Sequence, residues 1–152
     1  MSVVSGDRTP IKTDLFIVTN AREIKTEIFS LLSIHIRVDS EHNSDIPLWF
    51  IEFIRQELLQ EVSFLNKNII IANHIYLDND ESMLNRRKHW DKAISSCFVI
   101  LEHFHSCLLF FKGQVGFYEK IINDIKKEID GLKKIKKSDR ERIKKKNCNT
   151  SV

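Results

Sequence analysis

The chain has 152 residues, 42% hydrophobic and 30% charged, with four Gly, two Pro, three Cys and ten Phe. That length suits one domain with a sizeable core, and scarce breakers beside abundant charge fit a mostly helical protein. The polar N-terminus has no apolar h-region, and the most apolar window, Cys97 to Phe111, contains Glu102, His103 and His105. Composition therefore argues against a signal peptide and a membrane span, and a soluble cytoplasmic protein is expected.

Net charge is only +3, but it is unevenly spread. Lys133 to Lys146 holds nine Lys or Arg and two acids, a local +7, so the remainder sums to −4. A block this basic is a solvated tail or an arm for a polyanion. Cys97 and Cys107 lie ten residues apart on one expected helix, roughly 15 Å along its axis, too far to pair. They read as small buried hydrophobes in a reducing compartment.

In chain order, Met1 to Thr9 is expected to be disordered, and the β-branched run Ile11 to Val18 to lie extended against the rest. Asn20-Ala-Arg-Glu23 looks like a capping box opening helix 1, with Ile24, Ile28, Leu31, Leu32 and Ile36 as its apolar face. A polar loop follows from Asp39 to Ser44. Asp45 caps the next helix, with Pro47 in its first turn. No Gly or further Pro interrupts Leu48 to Leu77, about 45 Å of helix at 1.5 Å per residue. Asp78-Asn79-Asp80 is a turn.

The third helix carries Arg86-Arg87-Lys88-His89-Trp90, then an apolar stripe of Ala93, Ile94, Cys97, Phe98, Leu101, Phe104, Leu108 and Phe111. Phe98, Leu101 and Phe104 are expected to be buried against Leu58, Leu65 and Ile125 or their neighbours. Gly113 and Gly116 bracket the last turn. Helix 4 carries Phe117, Ile121, Ile122, Ile125, Ile129, Leu132 and Ile135. The expected architecture is all-α: an up-down-up-down four-helix bundle over 14–137, with helices near 20–38, 46–77, 81–111 and 114–137. A disordered, then short extended, N-terminal segment precedes it, and a basic tail at 138–152 follows it.

Six His are present, but His103 and His105, two residues apart, diverge by about 200° on a helix. No carboxylate or Cys completes a metal site with them, so neither metal nor cofactor is expected. Arg37-Val-Asp-Ser-Glu-His42 has the Arg-x4-His spacing of helical-bundle ribonucleases of the HEPN class. It falls in the loop after helix 1, not at the start of a late helix as in those enzymes. No glycine-rich phosphate loop, nucleophile elbow or paired-carboxylate motif occurs. Acids and lysines interleave over Glu119 to Lys137 as on a solvated helix face. Three cations at Arg86, Arg87 and Lys88 sit unfavourably near a helix N-terminus, which suggests another use for them.

Four segments recur in a familiar order: Asn20-Ala-Arg-Glu23; Ala72-Asn-His-Ile-Tyr-Leu-Asp-Asn79; Arg86-Arg-Lys-His-Trp-Asp-Lys-Ala93 with Cys97 following; and Glu128-Ile-Asp-Gly-Leu132 leading to Lys137-Ser-Asp-Arg140. This order, over residues 14–142, resembles the four-helix-bundle accessory proteins encoded beside reverse transcriptases in diversity-generating retroelements, the accessory variability determinant family. A more distant likeness is to the bundle proteins of intervening sequences in ribosomal RNA genes. The resemblance implies no catalysis, a homo-oligomer of pentameric form, and binding to RNA or single-stranded DNA and to a reverse transcriptase. Carried over by residue, it points to Arg86 and Arg87 first and the run from Lys137 to Asp139 second. The acidic loop after helix 1 and the lysine-rich C-terminus depart from the family pattern. The candidate nucleic-acid contacts are Arg86, Arg87, Lys88, Lys133, Lys134, Lys136, Lys137, Arg140 and Arg142, touching phosphates with little sequence preference. The alternative from another class is a helical scaffold that binds only protein, and behind it a HEPN-type ribonuclease.

Overall fold

A computed structural model describes residues 12–111 and 115–150. It contains four α-helices: α1 Lys12–Ile34, α2 Leu48–His74, α3 Asp80–Phe110 and α4 Val115–Thr150. There is no strand among the described residues. Each helix packs on the next, and α4 closes back on α1. This is an up-down-up-down four-helix bundle.

The core follows from spacing. Buried positions recur at steps of three and four: Ile17, Ala21, Ile24, Ile28 and Leu31 on α1; Ile51, Ile54, Leu58, Val62, Leu65, Ile69 and Ala72 on α2. On α3 the series is Trp90, Ala93, Cys97, Ile100, Phe104 and Cys107, and on α4 it is Tyr118, Ile121, Ile125, Ile129, Leu132 and Ile135. Steps of three and four keep one stripe of each helix facing its neighbours. Cys97 and Cys107 are free and buried, and burial pushes the Cys107 thiol up to about 12.

Three boundaries differ from expectation. The segment from Lys12 to Val18 is the first part of α1, not an extended strand; Ile11 lies outside the described residues. Ile17 is in step with Ala21 and Ile24, and its complete burial outweighs the β preference of its neighbours. Gly131 of α4 admits this first stretch: a Cβ there would lie 3.2 Å from Ile17 Cγ1. Asn20 accordingly caps nothing. It is buried mid-helix, and its Nδ2 donates to the Asp124 carbonyl at 2.9 Å and to Glu128 Oε1 at 3.3 Å. At the other end, α4 runs on through the expected tail to Thr150, burying Asp139 and Ile143. The expected disorder of Met1 to Thr9 and the turn at Gly113 fall outside the described residues.

The connections close the helix ends. Asn43 Nδ2 donates to the carbonyls of His35 and Arg37, both at 2.9 Å, and Arg55 Nη1 to those of Leu32 and Ile36. Pro47, not Asp45, holds the N-cap position of α2. At α3 the cap is reciprocal: Asn79 Oδ1 accepts from the Ser82 amide at 2.9 Å, and Ser82 Oγ accepts from the Asn79 amide at 3.0 Å.

Of the stripe expected on α3, Ala93, Cys97, Phe104 and Phe111 are buried, and the departures lie between them. Phe104 is fully buried, but Phe98 is 52% exposed and Leu101 only partly covered. Phe98 falls between the seam positions Cys97 and Ile100, on the outer flank. By length and composition alone α3 could cross a bilayer, since an 18-residue window reaches a mean hydropathy of 1.5. In this fold 33% of that window is buried, in a helix packed between α2 and α4.

Two stability predictions follow from these placements. Phe104→Ala should lower stability to chemical denaturation by about 3–5 kcal/mol, whereas Phe98→Ala should move it by less than about 1 kcal/mol. Glu128 is fully buried between α1 and α4, and burial raises its carboxyl to about 8 against the donated bond from Asn20. The folded state therefore holds a proton that the unfolded chain releases above its ordinary value of 4.5. Stability from this group is complete below about 4.5 and is lost as pH rises through about 8. Glu128→Gln should remove roughly 2–4 kcal/mol of that decline in urea titrations across this window.

Candidate nucleic-acid interface

Arg86 does not face solvent. It is 5% exposed, with its guanidinium set against Asp139 of α4: Nε to Oδ2 at 2.9 Å and Nη2 to Oδ1 at 3.1 Å. Nη1 donates to the Ile75 carbonyl at 3.1 Å and, more distantly, the Ala72 carbonyl at 3.4 Å. Trp90 Nε1 donates to the same Asp139 Oδ2 at 3.0 Å, and the guanidinium lies 5.3 Å from the Trp90 ring centre. All three nitrogens of Arg86 are engaged, so it is withdrawn from the candidate contacts. The reason is spacing: Arg86 stands four residues before Trp90 and seven before Ala93, inside the buried seam.

Arg87, the next residue, is on the surface. Its Nε lies 4.0 Å from Asp91, whose other oxygen is bound by Lys136 of α4. Lys133 Nζ stands 6.0 Å from the centre of the exposed Phe98 ring. Lys137 and Arg140 are exposed and follow Lys133 by four and seven positions, within about 40° of it around the helix. Lys126 and Lys144 extend the same line by minus seven and plus eleven, and both are exposed, with the exposed Asp130 standing on that line between Lys126 and Lys133. Thus Arg87, Lys133, Lys136, Lys137 and Arg140 share the face made by α3 and α4.

The remaining candidates separate from this face. Lys134 lies about 100° further round α4 than Lys133, and Arg142 about 200° round from Arg140. Lys88 acts on the other side of α3. It contributes to the field that lowers the His89 pKa, and His89 is bonded to Asn68 of α2. Lys126, Lys144 and Phe98 were absent from the sequence-based set, although the steps of 7, 4, 3 and 4 from Lys126 to Lys144 are visible in the sequence.

The ion pair also changes the surface charge. Asp139 is spent inside on Arg86, so across residues 133–146 the nine basic residues face a single acid outside the core, Glu141. Lys146 also reaches inward, its Nζ 3.1 Å from the Leu77 carbonyl and 5.3 Å from the Tyr76 ring centre.

Other groups are accounted for locally. Arg37 holds Asp39 through two bonds of 2.9 and 2.6 Å, and His42 lies exposed in the 3-10 turn Glu41–Asn43. His103 Nε2 is 3.5 Å from Glu57, and His105 Nδ1 is 3.8 Å from Glu102. Among the described residues no three His, Cys, Asp or Glu gather in a metal-binding arrangement. At the other end of the bundle, Trp49, Phe53 and Phe110 are 68%, 47% and 47% exposed. Phe50 bridges Phe110 and Phe111 at ring distances of 4.5 and 6.1 Å, and Phe111 itself is buried. Comparisons with protein-family models, curated proteins and solved structures give no match to this chain.

The ion pair predicts a contrast between neighbours. Arg86→Ala leaves Asp139 buried without its cation and should cost about 3–5 kcal/mol in equilibrium unfolding. Arg87→Ala, on the surface, should stay within about 0.5 kcal/mol of the parent. Arg86→Met combined with Asp139→Leu should recover much of the loss caused by either change alone, because it leaves no buried charge unpaired.

Proposed function

We propose that this chain is a non-catalytic nucleic-acid-binding protein whose α3–α4 face holds RNA or single-stranded DNA. The observation that carries the reading is the line Lys126, Lys133, Lys137, Arg140 and Lys144 on α4, with Arg87 and Lys136 beside it and Asp139 removed into the core. Phosphates meet a row of cations on an ordered helix, and Phe98 next to Lys133 offers a ring for an unpaired base. The order of sequence segments makes a retroelement reverse transcriptase the proposed protein partner. Within those segments Arg86, Trp90 and Asp139 are accounted for by packing, so the binding reading rests on the residues around them.

The exposed aromatic end supports a second contact, to protein. Trp49, Phe53 and Phe110 together form the kind of apolar surface that marks interfaces. We propose that copies of the chain associate through it, with a pentamer as the form the resemblance suggests. A scaffold that binds only protein would use this end and leave the α4 lysines solvated.

Salt separates these readings. Affinity for a single-stranded oligonucleotide should fall with salt, with a log–log slope of about −0.7 per phosphate contact. Replacing Arg87, Lys137 and Arg140 together by Ala should flatten that slope by roughly two units and weaken different sequences alike. Lys25→Ala, on α1, should change neither. An unchanged slope in the triple variant, measured by fluorescence anisotropy across a salt series, would replace the nucleic-acid reading with the protein-only scaffold.

A further inference from the structure

Between α2 and α3 runs an open groove of about 600 Å³, lined by Phe64, Lys67, Asn68 and Ile71 from α2 and by His89, Asp91, Lys92, Ser95 and Ser96 from α3. Its volume is within the usual range for small-ligand sites. Its chemistry is mixed in a specific way. Phe64 is 42% exposed and gives, with Ile71, an apolar wall. Lys67 and Lys92 are exposed cations on opposite helices. The acid in the lining, Asp91, already has its carboxylate against Lys136 and Arg87, so it opposes an incoming anion weakly.

The polar groups at the groove have assigned roles. Asn68 Nδ2 donates to the Phe64 carbonyl at 2.9 Å, which turns its Oδ1 toward His89 Nδ1, also at 2.9 Å. Nδ1 therefore carries the hydrogen, and the other ring nitrogen, Nε2, is an acceptor while the ring is neutral. Burial first, then Lys92 and Lys88, lowers the His89 pKa and favours that neutral form. The groove thus combines an aromatic surface, a hydrogen-bond acceptor and flanking cations, which complements a planar heterocycle attached to phosphates.

Position supplies the remaining argument. Asp91 lines this groove and is also bound by Lys136 of the basic face, so only the outer ridge of α3 separates the two. A helix is about 10–12 Å across with its side chains, a width that a short run of nucleotides can cross. Lys88, left apart from the α3–α4 face, lies on the groove side of that ridge.

We propose that the α2–α3 groove is a nucleobase pocket for a single-stranded nucleic acid, a base stacking on Phe64 while Lys67 and Lys92 take adjacent phosphates. This inference rests on the nucleic-acid reading of the α3–α4 face. The test compares a single-stranded oligonucleotide with an abasic strand of the same length and charge, both fluorescently labelled, on the full chain. The parent should bind the base-bearing strand about tenfold tighter. Because Phe98 on the other face could also stack a base, the comparison is made for Phe64→Ala and Phe98→Ala separately. Phe64→Ala should remove most of the difference while leaving affinity for the abasic strand unchanged, and Phe98→Ala should keep most of it. Lys67→Ala with Lys92→Ala should weaken both strands and flatten the salt slope.

Equal binding of the two strands by the parent would overturn the pocket and leave the basic-face reading standing. So would a base preference that survives Phe64→Ala, or one lost through Phe98→Ala alone. No salt-sensitive binding of either strand would overturn both readings. Phe64 is too exposed for its loss to unfold the bundle, and circular dichroism of the variant provides the check.

Discussion

The bundle turns on one buried ion pair. Arg86 comes from the second turn of α3, Asp139 from the distal half of α4, and the carbonyls that Arg86 also binds end α2. The Ala72 carbonyl also accepts from the Ile75 amide at 3.1 Å, and a cation at a helix C-terminus is favoured by the dipole. Desolvating two charges is costly, and attraction offsets that cost only where geometry and secondary bonds are complete. Here the pair is bidentate, Trp90 donates to the carboxylate and its ring lies beside the guanidinium. Past residue 137 the pair holds α4 to the bundle together with buried Ile143 and the bond from Lys146 to the Leu77 carbonyl.

That dependence explains why the charged residues of this chain divide as they do. Arg86 and Arg87 are neighbours in sequence, yet one is a structural element and the other a surface cation. One residue is 100° of rotation on a helix, which separates seam from surface. The same division sets Asp139 apart from Lys137 and Arg140. A count of basic residues along the sequence therefore overstates the contribution of the third helix to the surface and understates that of the fourth, where the acid is the residue withdrawn.

Much of this was legible in the sequence. The number of helices and the first two connections follow from polar runs between stretches of helical period, and the core follows from steps of three and four. The errors were errors of phase. Counting back from Phe104 through Ile100, Cys97, Ala93 and Trp90 reaches Arg86, so its burial was written in the spacing. The same count leaves Phe98 outside, although a large aromatic residue invites a core assignment. Asn20 invites a cap assignment because Asn is a favoured cap. Its position three residues after Ile17 and four before Ile24 placed it in the seam instead. The length of α4 was harder to read, since a lysine-rich segment is soluble as coil or helix. What orders it is a partner 53 positions away, Arg86, with which local composition has no connection. The groove between α2 and α3 was not legible, because its walls come from segments that no local motif joins.

The buried acid at the α1–α4 seam alters a quantity usually read from composition. The formal charge of +3 counts every Asp and Glu as ionised. Burial holds the Glu128 carboxyl up at about 8 and the Glu27 carboxyl up at about 7, so at neutral pH the folded protein keeps protons that the formal count releases and its charge lies above +3. That extra charge belongs to the folded state alone: the denatured chain would give it up. Between about pH 4.5 and 8 the native molecule of this protein is therefore more cationic than the unfolded one.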